Sequence, residues 1–372
     1  MNARVPAEVF PPGEFLREEL EARNWRQQEL AEILDRPARL ISEIIAGKRA
    51  ITPETAKGLA EAFGTSPDYW MNLESQYQLS KVRSQDKSVA RRAFLYERFP
   101  VREMIRRGWI IASDSVDILE KQFCDFFNIP SIDIEPTLYH NAKKTNACDA
   151  ANPLQIAWLF RAKQLASKQV ISTFSQKKLI GSLDKLKSLT LSPEEVRYVP
   201  RILADAGVHF IIVEPLAASR IDGACFWLED KKPVIGMTLR FDRIDNFWFV
   251  LRHEIEHILR EDGKKSNNVI VDSDIGNNED GLPEEEVIAN KAAAEFCVPS
   301  DQFDNFISRV QPYFSEDKVL RFAQRIEVHP GLVVGQLQHK LKRHDFLRKH
   351  LVKIRALVLP GADVDGWGII SE

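Results

Sequence analysis

No stretch of the 372 residues approaches the ~18 consecutive apolar residues of a membrane-spanning helix, so no membrane association is expected. The opening MNARVPAEVFPPG holds no apolar core of the kind a secretory signal needs, so export is not expected either. Cysteine is scarce. The four thiols, Cys124, Cys148, Cys225 and Cys297, form no CxxC pair, which argues against a cysteine-ligated zinc site and leaves scattered reduced thiols of a cytoplasmic protein as the expectation. An excess of positive charge is missing too: 51 Lys and Arg stand against 54 Asp and Glu, a net of −3. Any nucleic-acid binding must therefore come from a local face. Internal repeats and low-complexity tracts are absent. What remains is an ordinary globular composition, 44% hydrophobic and 28% charged. At about 150 residues per domain, the length suggests two or three domains.

Residues 12–79 read as five short helices. Phe15, Leu16 and Leu20 make one apolar stripe, Leu30, Ile33 and Leu34 the next, and Leu40, Ile41, Ile44 and Ile45 a third that Gly47 stops. Thr52-Pro53-Glu54 and Ser66-Pro67-Asp68 each open a helix with a cap residue followed by proline. The polar stretch 80–92 reads as a linker or connecting helix. Residues 93–200 read as mainly helical, with breaks near Pro130 and over 141–153. Val208 to Val213 is a β-branched run of strand length; Ala224–Leu228 and Pro233–Leu239 read as two strands joined by the charged turn Glu229 to Lys232. A helix from about Ile244 to Arg260 follows, then an acidic loop from Glu261 to Pro283, a helix from Glu284 to Phe296, further short helices, and a tail that adds a strand. The expected organisation is 1–80, a helix-turn-helix bundle; 81–200, a helical connecting region; 201–310, a catalytic core; and 311–372, a helical segment with its tail. The fold class is mainly α with a small β-sheet (α+β).

The strongest chemical signal is His253-Glu254-Ile255-Glu256-His257. Histidines at i and i+4 lie about 40° apart around a helix, so both imidazoles reach one metal. Glu254 sits where it can take a proton from a zinc-activated water that attacks a peptide carbonyl. The flank Phe247 to Leu251 is apolar, which suits a helix crossing a core better than a solvated surface helix. A catalytic zinc takes a third protein ligand. Glu284, Glu285, Glu286 and Glu295 are on offer. Glu286 is preferred because it shares a face of small residues with Ala289, Asn290 and Ala293, and Asn290 one turn on is placed to hydrogen-bond a ligand. An acidic first turn that complements the helix dipole explains Glu284 and Glu285 equally well. Among His329, His339, His344 and His350, none is singled out as an oxyanion stabiliser.

In the N-terminal bundle, Arg26–Leu34, the turn Asp35–Pro37, and Ala38–Ala46 have a helix-turn-helix layout. Gln27 and Gln28 begin the first helix. Arg39, Ser42 and Glu43 lie off the apolar face of the second, where base edges in a major groove would be met, and Lys48 and Arg49 are placed for phosphates. Residues 1–80 carry nine basic and thirteen acidic side chains, a balance of −4. A helical protein-interaction module accounts for the same periodicity, so the residues alone leave DNA and protein partners open.

Two resemblances bear on these alternatives. His253 to His257, Glu286-Val287-Ile288-Ala289-Asn290 and the close Phe296-Cys297-Val298-Pro299 resemble the HExxH, ExxAN and proline-ended pattern of ImmA/IrrE metallopeptidases. Pro233-Val234-Ile235, Leu239-Arg240 and Phe247-Trp248-Phe249 are similar to the subgroup fused behind a helix-turn-helix. The likeness covers about 95–350, most specifically 205–300. It implies a zincin-like, gluzincin-type endopeptidase with His253, His257 and Glu286 on Zn2+ and Glu254 as general base. It also implies a small sheet before the active helix whose edge holds an extended peptide. Glu256, Arg252 and Ala292 depart from the family pattern. Residues 10–80, above all Gly47 to Ala56 and Gly64 to Trp70, resemble the XRE-type helix-turn-helix of HigA-like antitoxins. That implies a homodimer on double-stranded operator DNA, autoregulation, and in some members a toxin partner. The combined expectation is a cytoplasmic, bacterial or phage-type regulator that cuts a protein substrate: a repressor, a partner or itself. The alternatives are a non-catalytic repressor whose peptidase-like domain binds or senses a partner, and a peptidase whose bundle binds only protein.

Overall fold

The computed structural model describes residues 9–82, 87–137, 152–264, 270–273 and 282–370. The expected polar break over 141–153, most of the 261–283 loop, and Cys148 lie outside these residues. The chain divides into two compact units, Met1–Ala90 and Arg91–Glu372.

The first unit holds α1 (Pro12–Arg23), α2 (Gln27–Ile33), α3 (Ala38–Ile45), α4 (Pro53–Phe63) and α5 (Pro67–Lys81), the five helices expected. Capping sets their starts. Thr52 accepts from the Thr55 N–H at 3.3 Å and Ser66 from the Tyr69 N–H at 3.1 Å, each followed by proline in the first turn. Gly64, at φ 71°, ends α4 in the left-handed region. Leu16, Leu30, Ile41, Ile44, Leu59 and Trp70 form the core, each side chain worth ~1.5–3 kcal/mol when buried. Gly13 lets α1 touch the α3 backbone: a Cβ there would sit 2.4 Å from Ile44 O.

After α6 (Ser88–Arg98), the second unit runs α7 (Val101–Arg106), α8 (Val116–Phe127), α9 (Pro153–Lys168), α10 (Gln176–Leu189), α11 (Val199–Ala206), β1 (His209–Val213), β2 (Ile221–Trp227), β3 (Pro233–Met237) and α12 (Ile244–Arg260). Then come β4 (Ile270–Ser273), α13 (Glu284–Cys297), α14 (Ser300–Val310), α15 (Glu316–Arg325), α16 (Pro330–Leu341), α17 (Arg355–Val358), β5 (Asp363–Gly366) and β6 (Ile369–Ile370). The sheet order is β4-β2-β3-β1-β5-β6, with β1 parallel to β3 and β5 and the remaining pairs antiparallel. Strands β1 to β3 are buried on both faces, which is why they read as continuous apolar runs. Their residues alternate between two cores. Phe210, Ile212, Cys225, Trp227, Ile235 and Met237 face the core shared with α10 to α16; Ile211, Val213, Ala224, Phe226 and Val234 face the one built with α8 and α9. Gly236 admits the Trp158 ring, whose Nε1 donates to Val213 O at 3.0 Å. Asp365 on β5 is fully buried; it accepts from Trp109 Nε1 at 3.0 Å, from Arg107 Nη2 at 3.3 Å, and from Arg161.

Two expectations are corrected. The segment after α12 read as loop alone, yet Ile270–Ser273 is a strand, for which β-branched Ile270-Val271 is the sequence signal. The sheet also does not end before α12. Strand β2 is paired antiparallel with β4, Gly223 opposite Asp272, so β4 forms that edge of the sheet. Among the described residues no helix is long and apolar enough to cross a membrane.

Candidate metal centre and helix-turn-helix surface

In the first unit, burial of Leu30, Ala31, Ile41 and Ile44 turns the opposite faces of α2 and α3 outward. Gln27, Gln28, Arg39, Ser42, Lys48 and Arg49 are all exposed there. Glu43 is half-buried between two of them: Arg39 Nε donates to it at 2.7 Å, and Arg49 Nη1 lies 3.5 Å away. The Arg39 hydrogen bond, seconded by Arg49, holds the Glu43 carboxyl below the usual carboxylate range.

In the second unit, α12 buries Phe247, Trp248, Val250, Leu251, Ile255 and Ile258, and this fixes which way the neighbouring side chains point. His253 and His257 follow each other one turn apart, both with no exposed surface. α13 runs antiparallel to α12. Glu286 in its first turn meets the two histidines, while Phe296 near its end meets Trp248 at 6.2 Å between rings. Fully buried Ala289 and Ala293 permit this close approach. The two Nε2 atoms are 3.0 Å apart; Glu286 Oε2 is 3.3 Å from His253 Nε2, and Oε1 is 3.6 Å from His257 Nε2. All three ligand atoms lie within 4.8 Å of one another. Two imidazoles on a tetrahedral zinc at ~2.0–2.1 Å would hold their nitrogens about 3.3 Å apart, so the donor set and its spacing fit such an ion.

Two residues that the sequence reading passed over position this cluster. After α12 ends at Glu261, φ 56°, the chain turns back and Asp262 Oδ2 comes 3.1 Å from His257 Nδ1. A carboxylate there fixes the ring so that Nε2 faces the cluster. Gly223 on β2 lies over Glu254: a Cβ would fall 2.1 Å from Glu254 Oε1 and 2.9 Å from Val250 Cγ1. Asp262 belongs to no spacing rule, whereas a glycine inside a strand-like run is a recognisable sign of close approach. Asn290 lies one turn beyond Glu286, and its buried Oδ1 has no hydrogen-bond partner among the described residues. Cys297 is fully buried, and desolvation pushes its thiol up to about 12, which makes it inert. Among the described cysteines, Cys124, Cys225 and Cys297 are unbridged.

The helix-turn-helix family matches residues 16–70, and the IrrE N-terminal-like domain matches residues 205–341. The HTH-type transcriptional regulator YddM of Escherichia coli is 33% identical over 82 residues, 22% of this chain and 87% of that protein. An HTH-type transcriptional regulator of Haemophilus influenzae is 39% identical over 80 residues, 21% of this chain and 72% of that protein. The chain belongs to the XRE helix-turn-helix family and carries an IrrE N-terminal-like domain behind that module. Among solved structures, an addiction-module antidote protein of the HigA family from Coxiella burnetii is 38% identical. It covers 19% of this chain and 79% of that one, with a TM-score of 0.19.

Within the IrrE N-terminal-like domain, two departures from the family pattern answer each other. Arg252 Nη2 donates to Glu256 Oε2 at 2.7 Å, an i,i+4 pair on α12. Glu256 thus has its own cation.

Proposed function

We propose that this chain is a DNA-binding regulator whose second unit is a zinc-dependent endopeptidase. The observation that carries the enzymatic half is the convergence of His253, His257 and Glu286, with Glu254 on the turn between the histidines. These three side chains would hold the zinc. Zinc, when bound, supplies Lewis acidity, drawing the pKa of water toward neutrality and polarising a peptide carbonyl. Glu254 takes the proton of the attacking water as its oxygen adds to the carbonyl carbon. It then hands that proton to the amide nitrogen as the C–N bond breaks, leaving a carboxylate and an amine. Asp262 keeps His257 in the tautomer that offers Nε2 to the ion.

The regulatory half rests on the exposed set Gln27, Gln28, Arg39, Ser42, Lys48 and Arg49 and on relatives that are transcriptional regulators. We place α3 in a major groove of operator DNA, with the protein bound as a homodimer; a toxin partner belongs to the same reading.

Elemental analysis of protein purified without chelators tests the metal: about one zinc per chain is expected, lost in His253→Ala. Glu254→Gln should keep the zinc and lose cleavage of a protein substrate. No zinc even after excess metal would remove the peptidase reading. A second reading, a regulator that binds a partner through this domain without cutting it, is favoured by one feature. His253, Glu254 and His257 present no surface to solvent. Its mark would be bound zinc without turnover and with operator binding intact.

A further inference from the structure

The faces of α12 and α13 that carry the metal cluster continue past it into a cavity of about 760 Å³. On α12 its lining includes Phe249, one turn before His253; on α13 it includes Asn290, one turn after Glu286, and then Ala294. A helical turn is about 5.4 Å, so the cavity opens beside two of the three ligands. Leu332 and His339 of α16 close its far wall. Its volume lies within the ~300–1,000 Å³ usual for ligand sites and exceeds what one side chain fills. Two of its lining residues, Phe241 and Val287, are 43% and 49% exposed, large apolar groups left in water beside a concavity.

Charge narrows the occupant. Among the described lining residues Asp245 is the carboxylate, and Arg243 clamps it through two bonds of 3.0 and 2.6 Å. Beyond that neutral pair, the charged group among the described lining residues is Lys291, with the imidazoles of His339 and His344 also in the lining. We propose that this cavity receives the residues beside the scissile bond, and that it selects a bulky apolar side chain followed by an acidic one. This rests on the peptidase reading above and gives it a substrate class.

The test uses the full-length zinc-loaded Glu254→Gln protein and fluorescein-labelled alanine- and serine-based decapeptides whose central pair is Leu-Glu, Leu-Lys or Ala-Ala. By anisotropy, Leu-Glu should bind about tenfold tighter than Ala-Ala and about threefold tighter than Leu-Lys. Ala294→Phe, filling the cavity, should bring Leu-Lys and Ala-Ala to about equal affinity, with zinc content unchanged. Lys291→Glu, at an exposed position, should abolish the Glu-over-Lys preference; it decides the matter if the filled variant does not fold by circular dichroism. Equal binding of the three peptides, or preferences that survive the substitutions, would overturn the proposal. Cleavage of the same peptides by the wild-type protein is read in parallel. Preference without cleavage keeps the pocket and removes the peptidase reading, whereas cleavage without preference does the reverse.

Discussion

Glu43 and Asp262 do opposite work with the same functional group. Glu43 occupies two exposed arginines that the proposed DNA contact would otherwise use, at 2.7 and 3.5 Å. Replacing it by Gln keeps the shape and releases Arg39 and Arg49. We expect about threefold tighter binding of duplex DNA near 0.1 M salt and a steeper salt dependence, since more cations then displace counterions. Fluorescence anisotropy across a salt series checks this; weaker binding would instead mean that Glu43 itself reads a base. Asp262 directs His257, so Asp262→Asn should weaken zinc binding roughly 10- to 100-fold without unfolding the protein. Competition with a chelator of known affinity measures that loss. His253 and His257 were legible because helical spacing alone puts them together. Asp262 was not, because its position depends on where α12 ends and how the chain reverses at Glu261.

At the scale of elements, the chain announces most of its helices by their caps. Thr52-Pro53 and Ser66-Pro67 open α4 and α5 through local hydrogen bonds that the sequence prints directly. The strand β4 was obscured because its four residues sit in a stretch rich in Asn, Asp and Gly, and pairing with β2 decides its state. One cap carries a pH dependence. His329 Nδ1 accepts from the Gly331 N–H at 3.0 Å at the start of α16, which requires the neutral ring. Burial, and after it the nearby His350, holds its pKa below the usual histidine value, with Glu194 opposing. The unfolded chain therefore takes up a proton first. This contribution is fully present above pH ~6.5 and is lost as pH falls from there through the lower folded value. Thermal melts between pH 7.5 and 5 should show a fall in stability that His329→Asn, which caps without titrating, does not show.

For the whole molecule, two units predict two events on heating. Asp365 is the buried counter-charge for Arg107 and Arg161, so Asp365→Ala leaves guanidinium groups short of a partner in the interior. A loss of about 3–5 kcal/mol is expected. In calorimetry it should lower only the transition of the second unit, leaving that of residues 1–90 in place; a shift of both transitions would mean that the units melt as one. The α+β class was readable from the strand-length runs and helical stripes. The partner of β1 across the sheet was not, because β5 lies about 150 positions later and no local pattern signals a parallel neighbour.

That late partner makes the two units unequal in time. A ribosome adds about 5–20 residues per second, and 276 residues separate Ala90 from Gly366, where β5 ends. On each newly made chain the helix-turn-helix is therefore available for roughly 15–55 s before β1 can acquire its second parallel neighbour. During synthesis, the DNA-reading half exists first and alone.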